Sequence, residues 1–157
     1  MTELAFLSPD RCAPEVKLAS PLARVAVRDL FGIGVLELRG ELPSSVEAGE
    51  ELVRLTPDRA LLVTAGSPAV ARERLRGPGT RVYDLTAGFA ALEVEGETLF
   101  RRLTDLDPAK LPAAGPVARG VGGVVTRTAS GTFCILVPQE YGHYVAEVVL
   151  DLQQGLA

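Results

Sequence analysis

The stretch Glu51-Leu52-Val53-Arg54-Leu55-Thr56-Pro57-Asp58-Arg59-Ala60-Leu61-Leu62-Val63, followed by Ser67-Pro68, decides the fold. Glu51 to Leu55 and Ala60 to Val63 are short β-prone runs. Thr56-Pro57-Asp58-Arg59 between them is a turn, since proline presets a turn's backbone angle and aspartate bonds its own backbone. The two runs therefore form a hairpin. Ser67 then supplies a helix N-cap, with Pro68 at the first helical position where its missing N–H costs nothing, and Gly77-Pro78-Gly79 stops the helix.

The same order returns between Val121 and Leu152. The apolar runs Val117 to Thr128 and Thr132 to Val137 are joined by Ala129-Ser130-Gly131. Pro138 then opens a last helix on which Tyr141, Tyr144, Val145, Val148, Val149 and Leu152 fall on one stripe. Outside the two units, Val25, Val27 and Gly34 to Arg39 alternate apolar and polar positions as a half-buried strand does. Arg81 to Leu85 is extended, and in Phe89 to Glu95 residues Ala90, Leu92 and Val94 face one way and Glu93 and Glu95 the other. Leu99, Phe100, Leu103 and Leu106 recur at helical spacing over Glu97 to Leu106, and Asp107-Pro108 ends that helix. The expectation is an α+β domain of two related halves, each with antiparallel strands and helices on one face, ferredoxin-like, over residues 22–157. The halves are 22–80 and 81–157, with residues 1–21 as an N-terminal arm.

Composition narrows the class of function. At 157 residues and 47% hydrophobic positions the chain buries enough surface to fold without disulfide or metal staples, which excludes disorder. No apolar run approaches the ~20 residues of a membrane span. Twenty carboxylates against sixteen bases leave a net charge of -4 and no field to attract nucleic acid. The first residues carry Glu3 and no basic segment ahead of a long apolar stretch, so a cytoplasmic location is expected.

Candidate chemistry is sparse. His143 is the single histidine, and it reads as a surface or boundary residue one step off the apolar stripe of its helix. Cys12 and Cys134 are far apart and outside any metal or redox motif, and Cys134 sits in an apolar strand as a core thiol. Gly32-Ile33-Gly34 and Gly120-Val121-Gly122-Gly123 open no helix and lack phosphate-loop spacing, so they read as turns or bulges. Arg72, Arg74, Arg76 and Arg81 form a basic stretch, and Glu37, Glu41, Glu47, Glu50 and Glu51 an acidic one. These are either solvated faces or complementary patches for a protein partner. Leu4, Phe6 and Leu7 form an apolar cluster that either docks on a partner or covers the domain's own core.

From Val82 to Leu152 the chain presents Val-Tyr-Asp-Leu-Thr, Ala-Ala-Leu-Glu-Val-Glu-Gly, Glu-Thr-Leu-Phe-Arg-Arg-Leu and Asp105-Leu106-Asp107-Pro108, in that order. This resembles the folate-binding aminomethyltransferase superfamily, to which the glycine-cleavage T-protein and parts of heterotetrameric sarcosine oxidase belong. Ser20-Pro21-Leu22, Leu36 to Gly40 and Leu55 to Val63 are similar in order and spacing to that oxidase's small γ subunit. The resemblance covers about 130 residues. It implies a non-catalytic accessory subunit with no cofactor of its own, beside larger subunits holding flavin, NAD and tetrahydrofolate that demethylate sarcosine and transfer its one-carbon unit. In the aminomethyltransferases an acidic residue follows a Gly-Gly-hydrophobic pair. Here Gly122-Gly123-Val124-Val125 leads to Thr126 and Arg127, and neither a hydroxyl nor a guanidinium can stabilise positive charge at a folate nitrogen. Two other readings stand beside this one. A stand-alone protein could bind folate or another small anion through Arg119 and Arg127, or the fold could form a homodimer through a sheet edge.

Overall fold

A computed structural model describes residues 15–16, 27–29, 32–128 and 131–155. The expected arm with Leu4, Phe6 and Leu7 therefore lies outside the described residues, as do Ala129 and Ser130 of the second hairpin. The strands are β1 (Glu15–Val16), β2 (Val27–Asp29), β3 (Gly34–Gly40), β4 (Glu50–Thr56), β5 (Arg59–Thr64), β6 (Thr80–Asp84), β7 (Phe89–Val94), β8 (Ala113–Val117), β9 (Val121–Arg127) and β10 (Phe133–Pro138). The helices are α1 (Pro68–Leu75), α2 (Glu97–Leu103) and α3 (Gly142–Gln154). The fold is α+β, as the alternation of short strands and amphipathic helices implies.

The chain forms two compact units, one of them Gly32–Phe89. This unit holds a four-stranded sheet in the order β4-β5-β3-β6, antiparallel at every pairing. Leu36, Leu38, Leu62 and Val82 line one face and pack with Ala71 of α1, while Leu42, Val46, Leu52 and Leu75 close the edges of the cluster. Helix α1 begins as its sequence dictates, with Ser67 at the N-cap and Pro68 at the start. The Ser67 side chain makes no capping bond, so proline's preset angle and the loop after β5 define that end.

The other unit holds a six-stranded sheet in the order β1-β2-β7-β10-β9-β8. The pairs β1/β2, β2/β7, β10/β9 and β9/β8 are antiparallel, and β7 lies beside β10. Its helix-covered face buries Leu92, Val94, Val125, Ile135 and Val137 against Leu99, Phe100 and Leu103 of α2 and Val145, Ala146, Val148 and Val149 of α3. Phe100 and Phe133 stack with centroids 4.1 Å apart and ring planes 11° from parallel. With no tryptophan in the chain, this aromatic pair is the largest single packing element of that core.

Several local expectations give way to tertiary contacts. Sequence places the junction of the halves at residue 80/81. In the structure Thr80–Asp84 pairs with Gly34–Gly40, while Val27–Asp29 pairs with β7 in the other sheet. Helix α2 stops at Leu103 rather than Leu106, because the following segment is held by β8 and its turn. The Thr104 hydroxyl donates to the Pro116 carbonyl at 2.7 Å, and the Ala118 amide donates to the Leu103 carbonyl at 2.8 Å. The run from Val117 is divided by a turn in which Ala118, Arg119 and Gly120 all have positive φ, so Ala113–Val117 becomes an additional edge strand. Its Pro116 suits an edge position. Pro138 ends β10, and one 3₁₀ turn over Gln139–Tyr141 precedes α3. Tyr141 and Tyr144 accordingly leave the expected stripe and are exposed. Tyr141 precedes the helix, and Tyr144 lies about 100° round from Val145 at 3.6 residues per turn.

Two substitutions test this packing by urea unfolding. Phe133→Ala removes half of the aromatic stack and should cost about 3–5 kcal/mol. Gly40→Ala should cost about 2 kcal/mol or more, because φ is +101° there and a Cβ would lie 2.0 Å from the Gly79 carbonyl oxygen.

Candidate functional site

Strand β3 has neighbours on both sides, and its alternation sorts side chains between the two faces of its sheet. Leu36 and Leu38 point toward α1, which places Val35, Glu37 and Arg39 on the opposite face. Register then decides what stands beside them. Val35 opposes Val63, and Glu37 lies between Leu61 and Tyr83. Arg39 lies between Arg59 on β5 and Arg81 on β6. The face thus runs from an apolar, buried end at Val35, Val53, Leu61 and Val63 to a charged, exposed end where three arginines stand side by side across three strands.

Glu37 is the hinge between these ends. It is 4% exposed, yet it is ionised by its neighbours. Arg39 donates to both of its carboxylate oxygens at 3.1 Å, and Arg59 Nε donates to Oε1. Burial pushes the Glu37 carboxyl up, but the hydrogen bonds and charges of Arg39 and Arg59 outweigh it and hold the group below its ordinary value. The Arg39 guanidinium also lies over the Tyr83 ring, 5.5 Å from its centroid. Arg81 is exposed, with no ion-pair or hydrogen-bond partner among the described residues.

The acidic and basic stretches of the sequence meet each other within this unit. Arg74 pairs with Glu47 at 3.2 Å and with Glu50, and Arg39 and Arg59 pair with Glu37. The remaining candidates are scattered. His143 is 45% exposed and 3.0 Å from Glu147 one turn along α3, a surface pair. Cys134 is buried in β10. Gly120 occupies a left-handed turn. Arg119 is exposed in the β8–β9 turn, whereas Arg127 ends β9 with its guanidinium 5.1 Å from the centre of the Phe133 ring. The length of β9 separates them by about 20 Å at 3.3 Å per residue, so the structure does not bring them together. Thr126 is buried in the same strand.

Two polar groups of α3, His143 Nδ1 and the Gln153 amide, are buried without hydrogen-bond partners among the described residues. Ten residues of helix put them about 15 Å apart, so they do not make one site. Among the described residues no group of three His, Cys, Asp or Glu side chains could hold a metal ion, and no helix is long and apolar enough to cross a membrane. Sequence reasoning named Glu37 and Arg81 only as members of separate charge runs. Their alignment with Arg39 and Arg59 needed the register of three strands, for which Glu37-x-Arg39 on an alternating strand was the one local sign.

The fold class is a pair of α+β units, each an antiparallel hairpin system with helices on one face. No protein-family model matches the chain, and neither does any curated protein sequence. Among solved structures the chain is similar to a chain of the heterotetrameric sarcosine oxidase from Corynebacterium sp. U-96, determined in complex with pyrrole 2-carboxylate. The TM-score is 0.65 at 21% identity, over 83% of this chain and 84% of that one. At this identity the likeness is one of fold.

The Glu37 cluster makes a pH-dependent contribution whose sign follows from its direction of shift. A carboxyl lowered in the folded state stabilises fully above its unfolded value of about 4.3 and loses that contribution as pH falls through the lower folded value. Glu37→Gln should therefore lower unfolding stability by about 2 kcal/mol at neutral pH. In denaturation series the gap from wild type should close as pH drops below about 4.

Proposed function

We propose that this chain is a non-catalytic accessory subunit of a heterotetrameric sarcosine-oxidase-like complex, corresponding to its small γ subunit. The larger subunits would carry flavin, NAD and tetrahydrofolate, oxidise the methyl group of sarcosine and pass on the one-carbon unit. The observation that carries this reading is the balanced coverage of the structural match, 83% of one chain and 84% of the other. A chain of this size is matched almost whole, rather than as a fragment of a larger enzyme.

The local chemistry supports the same reading. Thr126 and Arg127 stand where the folate enzymes of the resembling superfamily carry a carboxylate, and Thr126 is buried within a paired strand.

A tagged copy purified from its native host should elute with larger, flavin-absorbing chains in fixed stoichiometry and with sarcosine-dependent oxygen consumption. Elution free of any flavin-bearing chain, whether as a monomer or as a homodimer in sedimentation, overturns the proposal. A rise in melting temperature with millimolar tetrahydrofolate on the isolated chain would instead favour a folate-binding protein.

A further inference from the structure

The three guanidinium groups at the open end of the β3 face are placed against their own electrostatics. Like charges directly opposite on neighbouring strands repel, and Arg39 has such a neighbour on each side, Arg59 in one register and Arg81 in the other. Glu37 is the counter-charge that this geometry supplies, and among the described residues it pairs with Arg39 and Arg59 only. The row therefore keeps a surplus of two positive charges on a chain whose total charge is -4. Arg39 is 53% and Arg59 47% exposed at the side chain, so all three groups reach solvent while the buried carboxylate holds two of them in fixed positions.

We infer that the row Arg59–Arg39–Arg81, with the Tyr83 ring beside it, is a docking surface for an acidic segment of a partner protein. Its dimensions favour such a segment over a small anion. Neighbouring strands lie about 4.8 Å apart, so the row spans about 10 Å, more than one carboxylate or phosphate can cover. Two side chains on one side of an extended segment stand about 7 Å apart and can each meet a different guanidinium. Arginine and tyrosine are also the side chains that concentrate at protein interfaces, and the planar guanidinium takes a carboxylate through two parallel bonds. Beyond the row, Arg39 and Arg81 line an open hollow of about 460 Å³ with Gly40, Gly77, Pro78, Gly79 and Thr80. This inference stands independently of the oxidase reading, which names no surface.

The test uses the full chain and a fluorescein-labelled hexaglutamate peptide, followed by fluorescence anisotropy at low salt. Binding should be saturable and should weaken as salt rises. Arg81→Glu, at a position without an ion-pair or hydrogen-bond partner among the described residues, should weaken it at least about tenfold with an unchanged melting temperature. Arg102→Glu on α2, outside this unit, should leave it unaltered. Absence of saturable binding, equal binding by Arg81→Glu, or displacement by inorganic phosphate beyond that by sodium chloride of equal ionic strength overturns the inference.

Purification of the wild type and of Arg81→Glu from the native host separates this idea from the proposed function. If flavin-bearing chains accompany both proteins and the peptide binds both equally, the docking surface is overturned and the oxidase reading stands. If they accompany both while only the wild type binds the peptide, both readings stand and the acidic partner is another chain. If no such chain accompanies the wild type while peptide binding still depends on Arg81, the surface is supported and the oxidase reading falls.

Discussion

The register of β3 between β5 and β6 is the constraint on which the Gly32–Phe89 unit depends. Side chains alternate along a strand, so a slip of one residue would exchange Leu36 and Leu38 for Val35, Glu37 and Arg39 on the face that meets α1. That exchange would put a carboxylate and a guanidinium into an aliphatic cluster and expose the leucines to the opposite face. Register is therefore enforced by burial, and the Arg row with its Glu37 follows from the same alignment. Gly40 closes the strand where no other residue fits, since the carbonyl of Gly79 occupies the space of a Cβ.

The six-stranded unit is organised by a different means. Its core is shared between helices and sheet, with α2 and α3 both laid on the face that carries Leu92, Val125 and Ile135. Phe100 and Phe133 join helix to sheet through one stacked pair, in an interior built mainly from Val, Leu and Ala. An aliphatic core of this kind packs by shape with few directional contacts. The hydrogen bonds that do fix direction, Thr104 to Pro116 and Ala118 to Leu103, lie at the helix end and join it to the edge strand.

Part of the charge of the Gly32–Phe89 unit is paired within it. Arg74 with Glu47 and Glu50, and Glu37 with Arg39 and Arg59, draw together charges that are separate runs in the sequence. What remains outward is therefore more informative than the runs themselves. Arg81 and the exposed halves of Arg39 and Arg59 present a positive strip on an acidic protein, beside an exposed tyrosine.

Sequence alone determined the local pieces of this protein. Thr56-Pro57-Asp58-Arg59 set the first hairpin, Ser67-Pro68 began α1, and the spacing of Leu99, Phe100 and Leu103 made α2, because turn angles, helix starts and amphipathic periods are properties of a few neighbouring residues. Sequence likewise placed Cys134 in the core and His143 at the surface. Only the tertiary structure decided which sheet each strand joins, where α2 ends, and that Ala113–Val117 is a strand. It also turned Tyr141 and Tyr144 outward and aligned Arg59, Arg39 and Arg81. Those outcomes depend on hydrogen bonds and registers between residues 12 to 48 positions apart, which no local pattern encodes.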